Sequence, residues 1–180
     1  MNACREFFDK FGDEGEKVKL LQRLEDAVAW EDLSASEYSP GPVASDEDLT
    51  RVWVNPVHYN EATRQLTPGA IIDANSHGMS CDRTRFRDVQ DSLAARAEQL
   101  QRSMPNPAMV AKRVCGFSLF GVGAVRSIQF EARRAFGIYD TALSFNASHS
   151  EVCAIVAGKH AWRSVRSQLF ELAKASFVER

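Results

Sequence analysis

No apolar run in the chain is long enough to cross a bilayer. Val114 to Val125 is interrupted by Gly116, Ser118, Gly121 and Gly123, and Ala154 to Ala157 stops at Gly158. A spanning helix needs roughly 20 apolar residues. The start, Met1-Asn2-Ala3-Cys4-Arg5-Glu6-Phe7-Phe8, lacks the basic stretch and long apolar core of a secretory signal. Cysteine is sparse: Cys4, Cys81, Cys115 and Cys153 lie far apart, unlike the dense pairs of small secreted scaffolds. Reduced thiols and a cytoplasmic location are expected. Nucleotide-binding glycine loops are missing too. Gly121-Val122-Gly123 lacks the third glycine of a dinucleotide fingerprint, and no glycine-rich loop leads into Lys-Ser or Lys-Thr. No cofactor is implied. With 44% hydrophobic and 26% charged residues over 180 positions, the composition is that of a globular domain, which excludes a disordered or fibrous chain.

Within that frame the elements can be read from periodicity. Phe7, Phe8 and Phe11 form a short apolar face broken at Gly12 to Gly15. Leu20, Leu21, Leu24, Ala27 and Val28 predict a second helix from Glu16 to about Asp32. Ser34 to Asp48, with Pro40-Gly41-Pro42, has linker chemistry, so residues 1–48 are expected as a helical arm and linker and 49–180 as the body. The body opens with the strand Arg51-Val52-Trp53-Val54, ended by Asn55-Pro56, and a short strand is expected at Met79-Ser80-Cys81. Arg83 to Ser103 predicts a helix with Phe86, Val89, Leu93, Ala97, Leu100 and Met104 on one side, closed by Pro105. Val114 to Phe120 alternates as a strand, and Val122 to Ile128 either continues it or pairs with it as a hairpin. Strands at Phe136–Asp140 and Glu151–Val156 follow, then a helix from about His160 to Phe177. This order predicts an α+β fold, a mainly antiparallel sheet packed with helices.

A net charge of -2 conceals a segregation. Residues 1–82 carry 7 Lys and Arg against 16 Asp and Glu; residues 83–180 carry 15 against 8. A basic half points to a polyanionic partner, either nucleic acid or an acidic protein surface. The candidate contact residues are Arg83, Arg85, Arg87, Arg96, Arg102, Arg126, Arg133 and Arg134. Arginine suits phosphate or carboxylate because its fork donates two hydrogen bonds at once. The competing reading is that the acidic front neutralises the basic back within the fold.

Catalytic candidates centre on Asn146-Ala147-Ser148-His149-Ser150-Glu151. A histidine at a strand mouth titrates near neutral pH and serves as general acid or base; Asp140 or Glu151 would orient it, and His58 is a second candidate. The competing reading has Ser148 and His149 capping a turn. Arg51 with Ser148 or Ser150 and Glu151 can be assembled in the style of a nicotinamide-nucleotide transferase, but no motif fixes that choice. His77, Cys81, His149 and Cys153 form two His-x-x-x-Cys steps of zinc-ligand type. Cys153 sits in an apolar run, where a thiol is commonly a core residue.

Trp53 to His58, Met79-Ser80-Cys81, Gly137 to Asp140 and Ser148-His149 together resemble a pattern found in short bacterial proteins of no known activity, in pieces over about residues 50–175. The resemblance implies apolar rather than metal-binding cysteines and transfers no catalytic residue. The expected function is therefore a small binding protein that contacts a macromolecular partner through its basic half, in a bacterial regulatory or defence assembly. The alternative is a toxin-like enzyme, nuclease or transferase, built on His149.

Overall fold

Asn2 accepts the backbone N–H of Arg5 at 2.9 Å and so caps α1 (Ala3–Phe11), satisfying a first-turn donor that otherwise has no partner. The computed structural model describes residues 2–12, 14–103 and 111–180. Next comes α2 (Lys17–Leu21), only five residues long. The helix predicted through Asp32 is cut short because its later groups have partners elsewhere. Ala27 O accepts from the Tyr139 hydroxyl at 2.7 Å, and Glu31, in a 3₁₀ turn at Ala29–Asp32, accepts from the backbone N–H of Ile138 at 2.8 Å. Tertiary bonds outweigh a modest local propensity.

The body begins with β1 (Asp48–Asn55), then a small hairpin of β2 (Tyr59–Asn60) and β3 (Gln65–Leu66), a 3₁₀ segment at Pro68–Asn75 and β4 (Met79–Arg83). The helix α3 covers Val89–Arg102, so it starts later than Arg83. Arg83 belongs to β4, and Asp88 caps the helix by accepting from Asp91 N at 2.8 Å. Phe86 therefore lies in a turn, 43% exposed, rather than on the buried stripe. The expected Met104 and Pro105 contributions lie outside the described residues. After β5 (Arg113–Gly121) the chain forms α4 (Val122–Ser127), not the predicted strand; Val122 N and Gly123 N bond Glu47 O and Ser45 O instead of a strand partner. Then follow β6 (Gln129–Phe130), β7 (Arg133–Arg134), β8 (Phe136–Tyr139), β9 (His149–Ala154), α5 (Lys159–Ala175) and β10 (Val178–Glu179).

The fold is α+β. Six strands form one sheet in the order β10-β5-β1-β4-β9-β8, every neighbouring pair antiparallel. One face carries Leu49, Trp53 and Phe120, and α5 packs there through Trp162, Val165 and Leu169. Ser118 links the layers: it accepts from Trp53 Nε1 at 2.8 Å and donates to Ala173 O at 2.7 Å. Each buried Leu, Val or Phe contributes about 1.5–3 kcal/mol by leaving water. The opposite face is covered at both ends. Residues of the leading segment, including Cys4, Phe8, Val18 and Leu21, join the same core at the β8–β9 end, while α3 lies over β1 and β5. Among the described residues no helix is long and apolar enough to cross a membrane.

Candidate functional site

Strands β1 and β5 stay in register over most of their length, but β1 meets β4 only at Leu49–Arg83 and Thr50–Asp82. Beyond that point Arg51 stands in for the missing ladder: its guanidinium donates to Ser80 O at 2.7 Å and to Asp73 Oδ2 at 2.9 Å. Where the strands part, a cleft of about 930 Å³ opens between β1, β4, the start of β9 and α3. That volume is in the range of ligand sites, roughly 300–1,000 Å³. Arg51, Arg87, Arg96, Arg102 and Lys112 line it, with Asp73, Asp82 and Glu98 and three of the four histidines, His58, His77 and His149.

Thr50 Oγ1, Ser92 Oγ and Arg51 Nε are buried and have no hydrogen-bond partner among the described residues. An unpartnered buried polar group costs about 1–3 kcal/mol, so three around one cleft call for an explanation. Arg96 bonds only the Gln99 side chain and has no carboxylate partner among the described residues. Burial and then the charge of Arg51 lower its pKa, against the opposing pull of Asp73.

Two histidines have fixed tautomers. His58 Nδ1 accepts the Val54 N–H at 3.1 Å, so the neutral ring carries its proton on Nε2. Burial, then Arg51, Arg96 and Lys112, push its pKa down to about 3, and the ring is neutral across the physiological range. His149 Nδ1 lies 3.0 Å from Thr141 O and 2.9 Å from Thr141 Oγ1. A carbonyl only accepts, so Nδ1 donates, and in the neutral ring Nε2 keeps its lone pair. His77 is half exposed, with Nε2 at 3.5 Å from Asp73 Oδ1.

At the rim, Leu143 and Asn146 exchange both backbone hydrogen bonds at 2.9 Å, closing a tight turn. Asn146 Nδ2 and Ser148 Oγ donate to Asp82 Oδ1 at 2.8 and 3.1 Å and tie that turn to β4. The turn presents Phe145, 80% exposed. The anchored turn thus holds a large aromatic in water at the edge of the cleft, outside the core.

The predicted site residues therefore divide. His58 and His149 reach the cleft; Asp140 and Glu151 do not. Asp140 is buried with Arg83 at 3.3 Å and accepts from Ser39 Oγ, and burial holds its carboxyl above the usual range. Glu151 is paired with Lys17 Nζ at 2.6 Å. The expected orientation of His149 by Asp140 or Glu151 is thus replaced by Thr141. Of the eight arginines, Arg87, Arg96 and Arg102 line the cleft, and Arg85 and Arg133 are exposed elsewhere. Arg83, Arg126 and Arg134 are engaged in ion pairs within the fold. Arg83, 2% exposed, is held by both oxygens of Glu47 at 2.8 and 2.7 Å and by Gly41 O at 2.6 Å. Arg126 and Arg134 close on Glu31. Two acids of the leading segment, Glu47 and Glu31, pair with these three.

Among the described residues no group of three His, Cys, Asp or Glu side chains is gathered as a metal site requires. Cys81 and Cys153 are buried, and burial pushes the Cys81 thiol up to about 12, away from the thiolate that zinc needs. Sequence reasoning passed over Thr50, Ser92, Asp73 and Phe145. Only Phe145 left a signal, as the one aromatic in a run of small polar residues from Ser144 to Ser150. No family model, curated protein or solved structure matches the chain.

Proposed function

We propose that the protein binds single-stranded nucleic acid across this cleft, its phosphates on Arg51, Arg96, Arg102 and Lys112 and a base stacked on Phe145. The carrying observation is the exposed Phe145 ring at the rim of a cleft whose basic groups outnumber its acids. Arginines beside a free aromatic form the arrangement that holds single strands: cations track the backbone while a ring stacks on a base of any identity. An acidic protein surface would use the cations equally well but gives Phe145 no role. A cytoplasmic location in a bacterial assembly belongs to the same proposal.

Fluorescence anisotropy of a labelled single-stranded oligonucleotide over a salt series tests it. Three or four phosphate contacts give a log–log salt slope of roughly -2 to -3. An oligoglutamate peptide that competes as well as the strand would favour the protein-partner reading. Affinity independent of salt would refute both.

The enzyme reading keeps one supporting observation, the free Nε2 of His149 on the cleft wall. A base there would take a proton from a hydroxyl or water attacking a bound phosphodiester, a role worth about 10²–10⁴-fold. Gel analysis of the incubated oligonucleotide checks it: cleavage by the wild type and none by His149→Ala supports it, and an intact strand with both removes it.

A further inference from the structure

We infer that the stretch of the cleft lined by Arg51, Thr50, Ser92, Arg96 and His58 is a subsite for a terminal phosphate group, the phosphomonoester end of a strand or nucleotide. This deepens the strand-binding reading and rests on it.

Every unpartnered group here can donate a hydrogen bond. Arg51 Nε has only an N–H to give, and Thr50 and Ser92, residues 1% and 2% exposed, each hold a hydroxyl, able to donate or accept, without a partner among the described residues. The Nε2–H of His58 is a further donor, since Nδ1 already accepts from Val54 N. Arg96 stands without a carboxylate among the described residues, and its charge and that of Arg51 repel. The carboxylate on this wall, Asp73, is already shared between Arg51 Nη2 and His77. A ligand that satisfies this wall must bring several acceptor oxygens, and with Lys112 beside His58 the cations around it, Arg51, Arg96 and Lys112, exceed the Asp73 carboxylate by two charges. A carboxylate has two oxygens and one charge. A terminal phosphate has three peripheral oxygens and close to two charges at neutral pH, and an internal phosphodiester carries only one. His58 stays uncharged in the operating range, so it donates to the anion without adding to the crowding of cations.

The test compares, by anisotropy, one oligonucleotide carrying a 5′-phosphate, a 3′-phosphate or hydroxyls at both ends, with inorganic phosphate and a nucleoside monophosphate as competitors. One phosphorylated end is expected to bind at least tenfold more tightly than the hydroxyl form. Millimolar inorganic phosphate should remove that advantage, and Arg96→Gln should abolish it. Equal affinity of all three strands, with salt-sensitive binding intact, would overturn the subsite and leave the strand reading standing. Phosphorus NMR showing that inorganic phosphate and the monophosphate bind while no strand does would overturn the strand reading and keep the subsite. Ser92→Ala gives an independent sign. It should raise the melting temperature of the ligand-free protein, because a buried unpartnered hydroxyl is gone, and weaken phosphate binding severalfold. A lower melting temperature with unchanged phosphate affinity would show that Ser92 is structural and would contradict the assignment.

Discussion

Lowering the pH should destabilise the protein through His58 before its carboxylates titrate. The ring is 6% exposed, packs edge-to-face on Trp53 and is surrounded by Arg51, Arg96 and Lys112, so its pKa falls from 6.5 to about 3. A depressed value in the folded state means that the unfolded chain takes up the proton first as pH drops. The stabilisation is complete above pH 6.5 and is lost on the way down toward 3. Each pH unit in that window is worth about 1.4 kcal/mol, so pH 6.5 to 5 removes roughly 2 kcal/mol. Urea unfolding at pH 7.5, 6 and 5 reads this as a midpoint falling by about 1 M for a slope near 2 kcal/mol per molar. His58→Asn places an amide oxygen where Nδ1 accepts from Val54 N and cannot take the proton. Its baseline stability is lower because the ring no longer fills the space beside Trp53, but its pH dependence should be flatter by the same 2 kcal/mol. Parallel pH profiles for wild type and variant between pH 7.5 and 5 would refute the reasoning.

Three further outcomes follow from the same contacts. Arg83→Leu leaves the Glu47 and Asp140 carboxylates buried without their cation and should cost about 3–5 kcal/mol in urea unfolding, with strand binding unchanged wherever the variant is folded. Glu31→Ala strips Arg126, Arg134 and the Ile138 N–H of a common acceptor and should cost about 3 kcal/mol, read as a fall in melting temperature. Phe145→Ala should leave stability within about 0.5 kcal/mol, since the ring is in solvent, but weaken strand binding by about 1–3 kcal/mol; Phe145→Tyr should restore it.

Much of the fold was legible because burial leaves a period in the sequence. Val165 and Leu169 mark the buried stripe of α5, and Ile138, Val152 and Cys153 the buried strands beside it. The misreadings have a common physical origin in partners distant along the chain. Ala27 and Glu31 look helical until Tyr139, Arg126 and Arg134 are present, and Val122 to Ile128 looks like a strand until Glu47 O and Ser45 O accept its first N–H groups. The charge segregation was visible, but its consequence was not. The sequence cannot tell an arginine claimed by Glu47 from one left facing a cleft, so Arg83 and Arg96 looked equivalent. His58 and His149 were chosen for their chemistry and do share the cleft. Thr50 and Ser92 were missed because what distinguishes them is the lack of a partner among the described residues, a property that exists only after folding.

The most direct test of the cleft as the binding surface is a nitrogen-15 NMR titration of the folded protein with a short 5′-phosphorylated single strand. The account predicts shifts concentrated at Thr50–Val52, Ser92–Gln99 and Leu143–His149, saturating with the strand and vanishing in high salt. Shifts centred instead on Arg85 and Arg133 away from the cleft, or none at all, would contradict it.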